Sequence, residues 1–209
     1  EMCIRDRLGS VCASIPLSKR CMGEDIRQKG SGNAGATNAA RVFGLKAGLV
    51  TLALDMAKTV AAMLIGKVLA GVTGEALSGA MCIIGHCFPL YFGFRGGKGV
   101  ATLVGAIMGV NAPLVLLCFG VWFLVLMITH YVSLASMVAG CSFPIFTLIS
   151  PKVNHLVPFV VFSFIIAVLL IYTHRKNIER LKAGTESKIY IWKPRHVKQQ
   201  PPKQEKKEE

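Results

Sequence analysis

Long apolar runs separated by short, polar, glycine-rich segments set the pattern of this chain. Runs at 43–72, 75–92, 100–110, 114–128, 131–149 and 156–173 each read as a helix, the three central ones short. Several approach the roughly 20 residues that carry a helix across a bilayer. An earlier run from Leu8 to Leu17 holds only about ten apolar residues behind the charged lead Glu1 to Arg7, and reads as a truncated first span. The pattern predicts an all-α integral membrane protein of about seven transmembrane helices carrying three loop motifs. Residues 1–190 form the membrane domain. Residues 191–209, rich in Lys, Gln, Pro and Glu, cannot bury a core and read as a disordered cytoplasmic tail.

Composition agrees with the pattern: 53% of residues are hydrophobic and 17% charged, too apolar a balance for an ordinary soluble domain. The net charge of +13 then points to cytoplasmic loops and anionic lipid, not to nucleic acid. Lys19 to Arg41 holds five basic residues and the 36 residues from His174 onward hold eleven, whereas the Asn111 connection holds none. Seven spans put the first loop and the tail on one side, and the positive-inside rule makes that side cytoplasmic. The Lys98 and Ser133 segments fall there too, so the polar motifs meet at one membrane face. Arg5 and Arg7 fall on the other side. The seven cysteines form no C-x-x-C and no cluster with histidine, so neither a metal site nor a disulfide framework is expected.

The first motif runs Gly30 to Arg41, G-S-G-N-A-G-A-T-N-A-A-R. Gly30, Gly32 and Gly35 let the backbone bend and approach a ligand closely. Ser31, Asn33, Thr37 and Asn38 add neutral hydrogen-bonding groups, and Arg41 a planar charged fork suited to phosphate or carboxylate. The segment contains no carboxylate, which suits an anion. Its glycines match G-x-G-x-x-G with Asp55 placed 20 residues on, but no buried strand precedes them and Asp55 lies inside an apolar run, so a dinucleotide site is rejected. The second motif sets Gly96, Gly97 and Gly99 around Lys98 just before a helix start, another place for an anion. It is not a Walker loop, because Phe92 stands five residues before Gly97 and Gly99 follows the lysine. His86 either caps a polar cluster or touches substrate. Thr129 to Ser136 offers Ser133 and Ser136 as further lining groups, and His174 and Asn177 share a face if the last helix continues. Asp55 and Lys58, at i, i+3 in an apolar helix, read as a structural pair.

These segments resemble the bacterial acyl-phosphate:glycerol-3-phosphate acyltransferases, the PlsY family. The first motif, G-H-C-F-P-L-Y-F-G-F-R-G-G-K-G-V-A-T from Gly85, and H-R-K-N-I-E-R-L-K-A-G-T-E-S-K from His174 are similar to its three cytoplasmic motifs, in order. S-I-P at Ser14 to Pro16 and Y-V-S-L-A-S at Tyr131 to Ser136 match as well, so the resemblance covers roughly residues 8 to 189. It implies that Ser31, Arg41, Lys98, His174 and Asn177 serve catalysis. The small and polar residues of the loops would bind substrate, with Gly96 to Gly99 as the phosphate loop, and Glu186 would be mainly structural. The implied reaction passes a fatty acyl group from acyl phosphate to the sn-1 hydroxyl of glycerol 3-phosphate, giving lysophosphatidic acid and phosphate, with no cofactor. It also implies a multi-pass protein of the bacterial inner membrane, its site facing the cytoplasm, and a possible partner in the enzyme that makes the acyl phosphate. The histidine–aspartate pair H-x-x-x-x-D of soluble-type acyltransferases is absent, so either His174 or a substrate phosphate oxygen accepts the proton. The alternative from another class is a transporter for a phosphorylated or anionic solute, since glycine-rich broken helices also build transport sites.

Overall fold

The structure is a computed structural model that describes residues 14–189, and every regular element among them is helical. In chain order these are α1 (Ser14–Met22), a 3₁₀ turn (Ile26–Gln28), α2 (Ala36–Phe43), α3 (Leu45–Cys87), a second 3₁₀ turn (Leu90–Phe92), α4 (Val100–Thr129), α5 (Val132–Ile149), α6 (Val157–Thr173) and α7 (Arg175–Lys182). Among the described residues, α3 extended to Phe92, α4 and α5 are long and apolar enough to cross a membrane. The α6–α7 pair, bent by 54°, makes a fourth candidate. The expectations for residues 1–13 and for the tail beyond Ile191 lie outside the described residues.

Two of the long helices are hairpins. The α3 helix breaks at Ala70 and Gly71, where Gly71 takes a φ of 58°. Its two arms then pack antiparallel. Lys67 pairs with the buried Glu75 at 3.3 Å beside the bend, and Thr59 meets Cys82 deeper in. Where the arms cross, Gly66 and Gly74 touch backbone to backbone, leaving no room for a methyl on either. The expected separate helices at 43–72 and 75–92 are these arms, with the second arm ending at Cys87, five residues early. In α4 the break is at Asn111, two residues before Pro113. A straight 30-residue helix would span about 45 Å, yet Val100 at its start and Val132 just after its end line the same cavity. The chain therefore reverses at Asn111, as the expected 100–110 and 114–128 helices require.

Packing inside the bundle uses Met63, Ile83, Ala106, Phe143, Phe162 and Ile166, all essentially buried. Large apolar side chains such as Leu116, Leu124, Ile149 and Val168 face outward, as lipid contact demands. With hydrocarbon on both sides of the comparison, close van der Waals packing at small residues holds such helices together. Gly105 shows this: a β-carbon there would fall 2.7 Å from the Met56 carbonyl oxygen.

Sequence reading missed α2, most of which lies in the Lys19 to Arg41 segment expected to be a polar connection. It ends at Gly44, whose φ of 88° separates it from α3. It also ended the first helix at Leu17, whereas α1 runs on to Met22.

Three glycine substitutions test the packing account. Gly105→Ala, which meets rigid backbone, should cost about 1–3 kcal/mol of stability. Gly109→Ala meets only the flexible Met63 side chain, and Gly120→Ala meets nothing within 4 Å, so both should be milder. Thermal unfolding in detergent should therefore rank Gly105→Ala well below the other two; equal midpoints would contradict the packing described here.

Candidate active site

The first motif is folded by its own side chains. Asn38 is buried, and its amide oxygen accepts from Ser31 N–H at 2.9 Å while its amide nitrogen donates to Lys29 and Asn33 carbonyls at 3.0 and 2.9 Å. Gly30 sits against that amide at a φ of 60°, where a methyl would overlap Asn38. Beneath the loop, Ser14 donates to the Ala34 carbonyl, and Ile15, Ile26 and Ala34 form a small buried cluster. Thus S-I-P at the start of α1 braces the motif.

The second motif docks beside the first. Arg27, held by Asp25, donates to the Phe92 carbonyl at 2.6 Å and its guanidinium lies over the Phe92 ring. Gly97 N–H donates to the His86 carbonyl at 3.1 Å, folding the loop back onto the end of α3. The Lys98 carbonyl accepts from Thr173 Oγ1 at 3.0 Å, tying the loop to the end of α6. Gly99, in the left-handed region at a φ of 84°, then opens α4.

The third motif closes the ring. Glu186 accepts from Ser133 at 2.8 Å, from Asn177 at 2.7 Å and from Arg180 at 2.7 Å, joining α5 to α7. Ile189 N–H donates to the His130 carbonyl at 2.8 Å and strengthens the same link.

These pieces enclose a cavity of about 490 Å³ at one end of the bundle. Ser31, Arg41, Lys98, His174 and Asn177 all line it. So do Gly30, Asn33, Thr37, Asn38 and Gly99 of the two glycine motifs, together with Ser133 and Ser136. Three expected binding residues do not. Gly32 forms a turn against the Arg27 carbonyl, while Gly96 and Gly97 are pressed onto His86 and Pro89. Asn38 lines the cavity, but its polar atoms are spent on the loop backbone, so its contribution is the loop's shape.

Sequence reading assigned no site role to Leu52, Arg180 or Ile189, and it placed Asp55 as structural although it reaches the cavity wall. Arg180 had a usable signal, standing at i+3 from Asn177. Ile189 had none, because a main-chain hydrogen bond brings it in.

Charge in the cavity is mostly positive. Burial lowers the Lys98 ammonium to about 8; Glu186 opposes that shift while Arg180 and Arg41 add to it. His174 Nδ1 lies 2.8 Å from the Leu170 carbonyl and donates to it, so the neutral ring keeps its lone pair on Nε2. Burial acts to raise Glu186, but the hydrogen bonds from Arg180, Ser133 and Asn177 prevail and hold it below the usual carboxylate range. Asn177 Oδ1 is buried with no hydrogen-bond partner among the described residues. The arrangement suits an anion that also carries a hydroxyl: cations and N–H groups for the charge, and an open acceptor for the O–H. No group of three or more metal-ligating side chains occurs among the described residues.

Fold and cavity together define a helical membrane protein with a mostly cationic cavity at one end of its bundle. Comparison with known proteins narrows the class. The family model described as "Glycerol-3-phosphate acyltransferase" matches residues 6–184. The glycerol-3-phosphate acyltransferase of Clostridioides difficile is 46% identical over 189 residues, covering 87% of this chain and 90% of the relative. That of Thermoanaerobacter pseudethanolicus is 43% identical over 182 residues, with the same coverage. Among solved structures, PlsY, described as an integral membrane glycerol 3-phosphate acyltransferase, superimposes in its glycerol 3-phosphate form with a TM-score of 0.83 at 34% identity. That alignment covers 90% of this chain and 94% of the other, and the lysophosphatidic acid form gives a TM-score of 0.82. This chain belongs to the glycerol-3-phosphate acyltransferase family of integral membrane proteins, the PlsY family.

Proposed function

We propose that this protein transfers a fatty acyl group from acyl phosphate to the sn-1 hydroxyl of glycerol 3-phosphate, releasing lysophosphatidic acid and inorganic phosphate at the cytoplasmic face of a bacterial inner membrane. The observation that carries the reading is the meeting of Arg41, Lys98, His174 and Asn177 around one cavity. The glycerol 3-phosphate and lysophosphatidic acid forms of the related PlsY structure support the acceptor and product. The basic residues of the first loop and of the stretch from His174 support the cytoplasmic orientation.

Both substrates are anions, and Arg41 and Lys98 neutralise phosphate where the cavity limits water. The acceptor hydroxyl attacks the acyl carbonyl carbon, and the bond from that carbon to the phosphate oxygen breaks. Inorganic phosphate leaves with its electron pair. The hydroxyl proton passes to a phosphate oxygen of the donor, which departs with it as inorganic phosphate. Asn177 Oδ1 and His174 Nε2 supply acceptors that orient the glycerol hydroxyls. Acyl phosphate is already activated, so holding the two substrates in line supplies much of the rate. Glycines 96 and 97 let the loop fold onto α3, which sets Lys98 at the cavity wall. The gathering of every motif at one end of the bundle favours this reading over a transporter, whose site would lie near the midplane.

Purified protein supplied with glycerol 3-phosphate should form lysophosphatidic acid from acyl phosphate and not from acyl-CoA. Turnover with acyl-CoA alone would overturn the donor assignment.

Lys98 gives a pH signature. Its ammonium is charged below about 8 and neutral above it, so affinity for a phosphate should fall as pH rises through that value. KM for glycerol 3-phosphate should climb above pH 8 in the wild type, and Lys98→Arg, which stays charged, should flatten the climb. An identical climb in Lys98→Arg would show that another group titrates.

A further inference from the structure

Beneath the second glycine motif lies a buried trio that the reaction above does not use. Lys58 Nζ is 2.9 Å from Asp55 Oδ1 and 3.0 Å from His86 Nδ1. Asp55 is fully buried, the His86 side chain is 2% exposed and Lys58 is 13% exposed. An ion pair at this depth is costly unless each member has partners, and here the ammonium is shared between a carboxylate and an imidazole.

The chemistry of the lysine settles the histidine. An ammonium only donates, so the His86 Nδ1 facing it must accept. The neutral ring then carries its hydrogen on Nε2. Asp55 Oδ1 also lies 3.5 Å from His86 Nδ1, but a ring nitrogen cannot donate to the carboxylate while it accepts from the closer lysine.

Nε2 is the atom against Gly97: a methyl added to Gly97 would overlap it. The His86 carbonyl accepts from Gly97 N–H at 3.1 Å, and a methyl on Gly96 would overlap that carbonyl. One residue therefore bonds the loop with its main chain and packs its ring against it, immediately before Lys98. His86 and Asp55 also reach the cavity wall.

We propose that Asp55, Lys58 and His86 form a single positioning unit: Asp55 anchors the Lys58 ammonium, Lys58 fixes the Nε2–H form of His86, and His86 holds the Gly96–Gly99 loop so that Lys98 meets the substrate phosphate. None of the three is a catalytic residue in this account. The unit explains why a charged pair sits in an apolar helix at the level of the loop, and why glycine is needed at 96 and 97. It rests on the reading that Lys98 binds the phosphate of glycerol 3-phosphate.

The test uses the full chain in detergent, labelled with ¹⁵N-histidine, with His86→Gln identifying the His86 signals. The wild type should show His86 protonated on Nε2 alone, and Lys58→Met should lose that fixed form. His86→Leu and Lys58→Met should each raise KM for glycerol 3-phosphate about tenfold or more, the scale of one charge-assisted contact, with kcat much less affected. His86→Gln, whose amide oxygen can still accept from Lys58 while the side chain fills the space against Gly97, should recover much of the loss. A wild-type signal showing the proton on Nδ1 overturns the proposal whatever the variants do. So does an unchanged KM in His86→Leu protein. Lys98→Ala separates the two readings. If it raises KM while His86→Leu and Lys58→Met do not, only the positioning unit fails. If Lys98→Ala itself keeps a wild-type KM, the phosphate reading fails first.

Discussion

Arg41, Lys98 and Arg180 crowd one cavity, and Glu186 is the carboxylate that opposes their charge on Lys98. Like charges in a partly dehydrated space repel, so the apo site stays assembled only if the backbone around it is firmly held. Much of the structure at this end of the bundle serves that need. Asn38 stitches the first loop, Thr173 grips the Lys98 carbonyl, and Glu186 binds α5 to α7 through three hydrogen bonds. In the proposed reaction an anionic substrate would relieve the repulsion, making binding energy available at the phosphate.

The membrane bundle supplies the rigid floor. Two hairpins, turned at Gly71 and Asn111, return the chain to the same end, so α3 and α4 each contribute both of their ends near the site. Close glycine contacts, as at Gly66, Gly74 and Gly105, let the arms approach without polar partners. The acyl chain of a lipid product needs hydrocarbon and its phosphate needs water. A polar cavity at the end of an apolar bundle meets both demands.

Much of this was legible in the sequence because its signals are local. Apolar runs of membrane length gave the helices, and the glycine-rich stretches before Arg41 and around Lys98 marked two of the segments that border the cavity. The break at Asn111 followed from asparagine and proline in apolar surroundings, and the one at Gly71 falls at the end of the expected 43–72 run. What escaped depends on contacts between distant segments. Nothing local says that Gly97 faces the His86 ring instead of ligand, or that Asn38 spends its amide on Lys29 and Asn33. The α2 helix was missed because Ala36–Phe43 begins with small and polar residues and is only eight long. Ile189 joins the cavity through its main chain, to which side-chain pattern is blind.

In the proposed reaction this cavity binds glycerol 3-phosphate with its phosphate between Arg41 and Lys98 and its hydroxyls toward His174 and Asn177. An experimental structure of the full chain soaked with glycerol 3-phosphate tests it most directly. Phosphate density should appear within hydrogen-bonding distance of both cations, with a glycerol hydroxyl near Asn177 Oδ1. Phosphate density elsewhere on the protein, with the cavity holding only solvent, would contradict it.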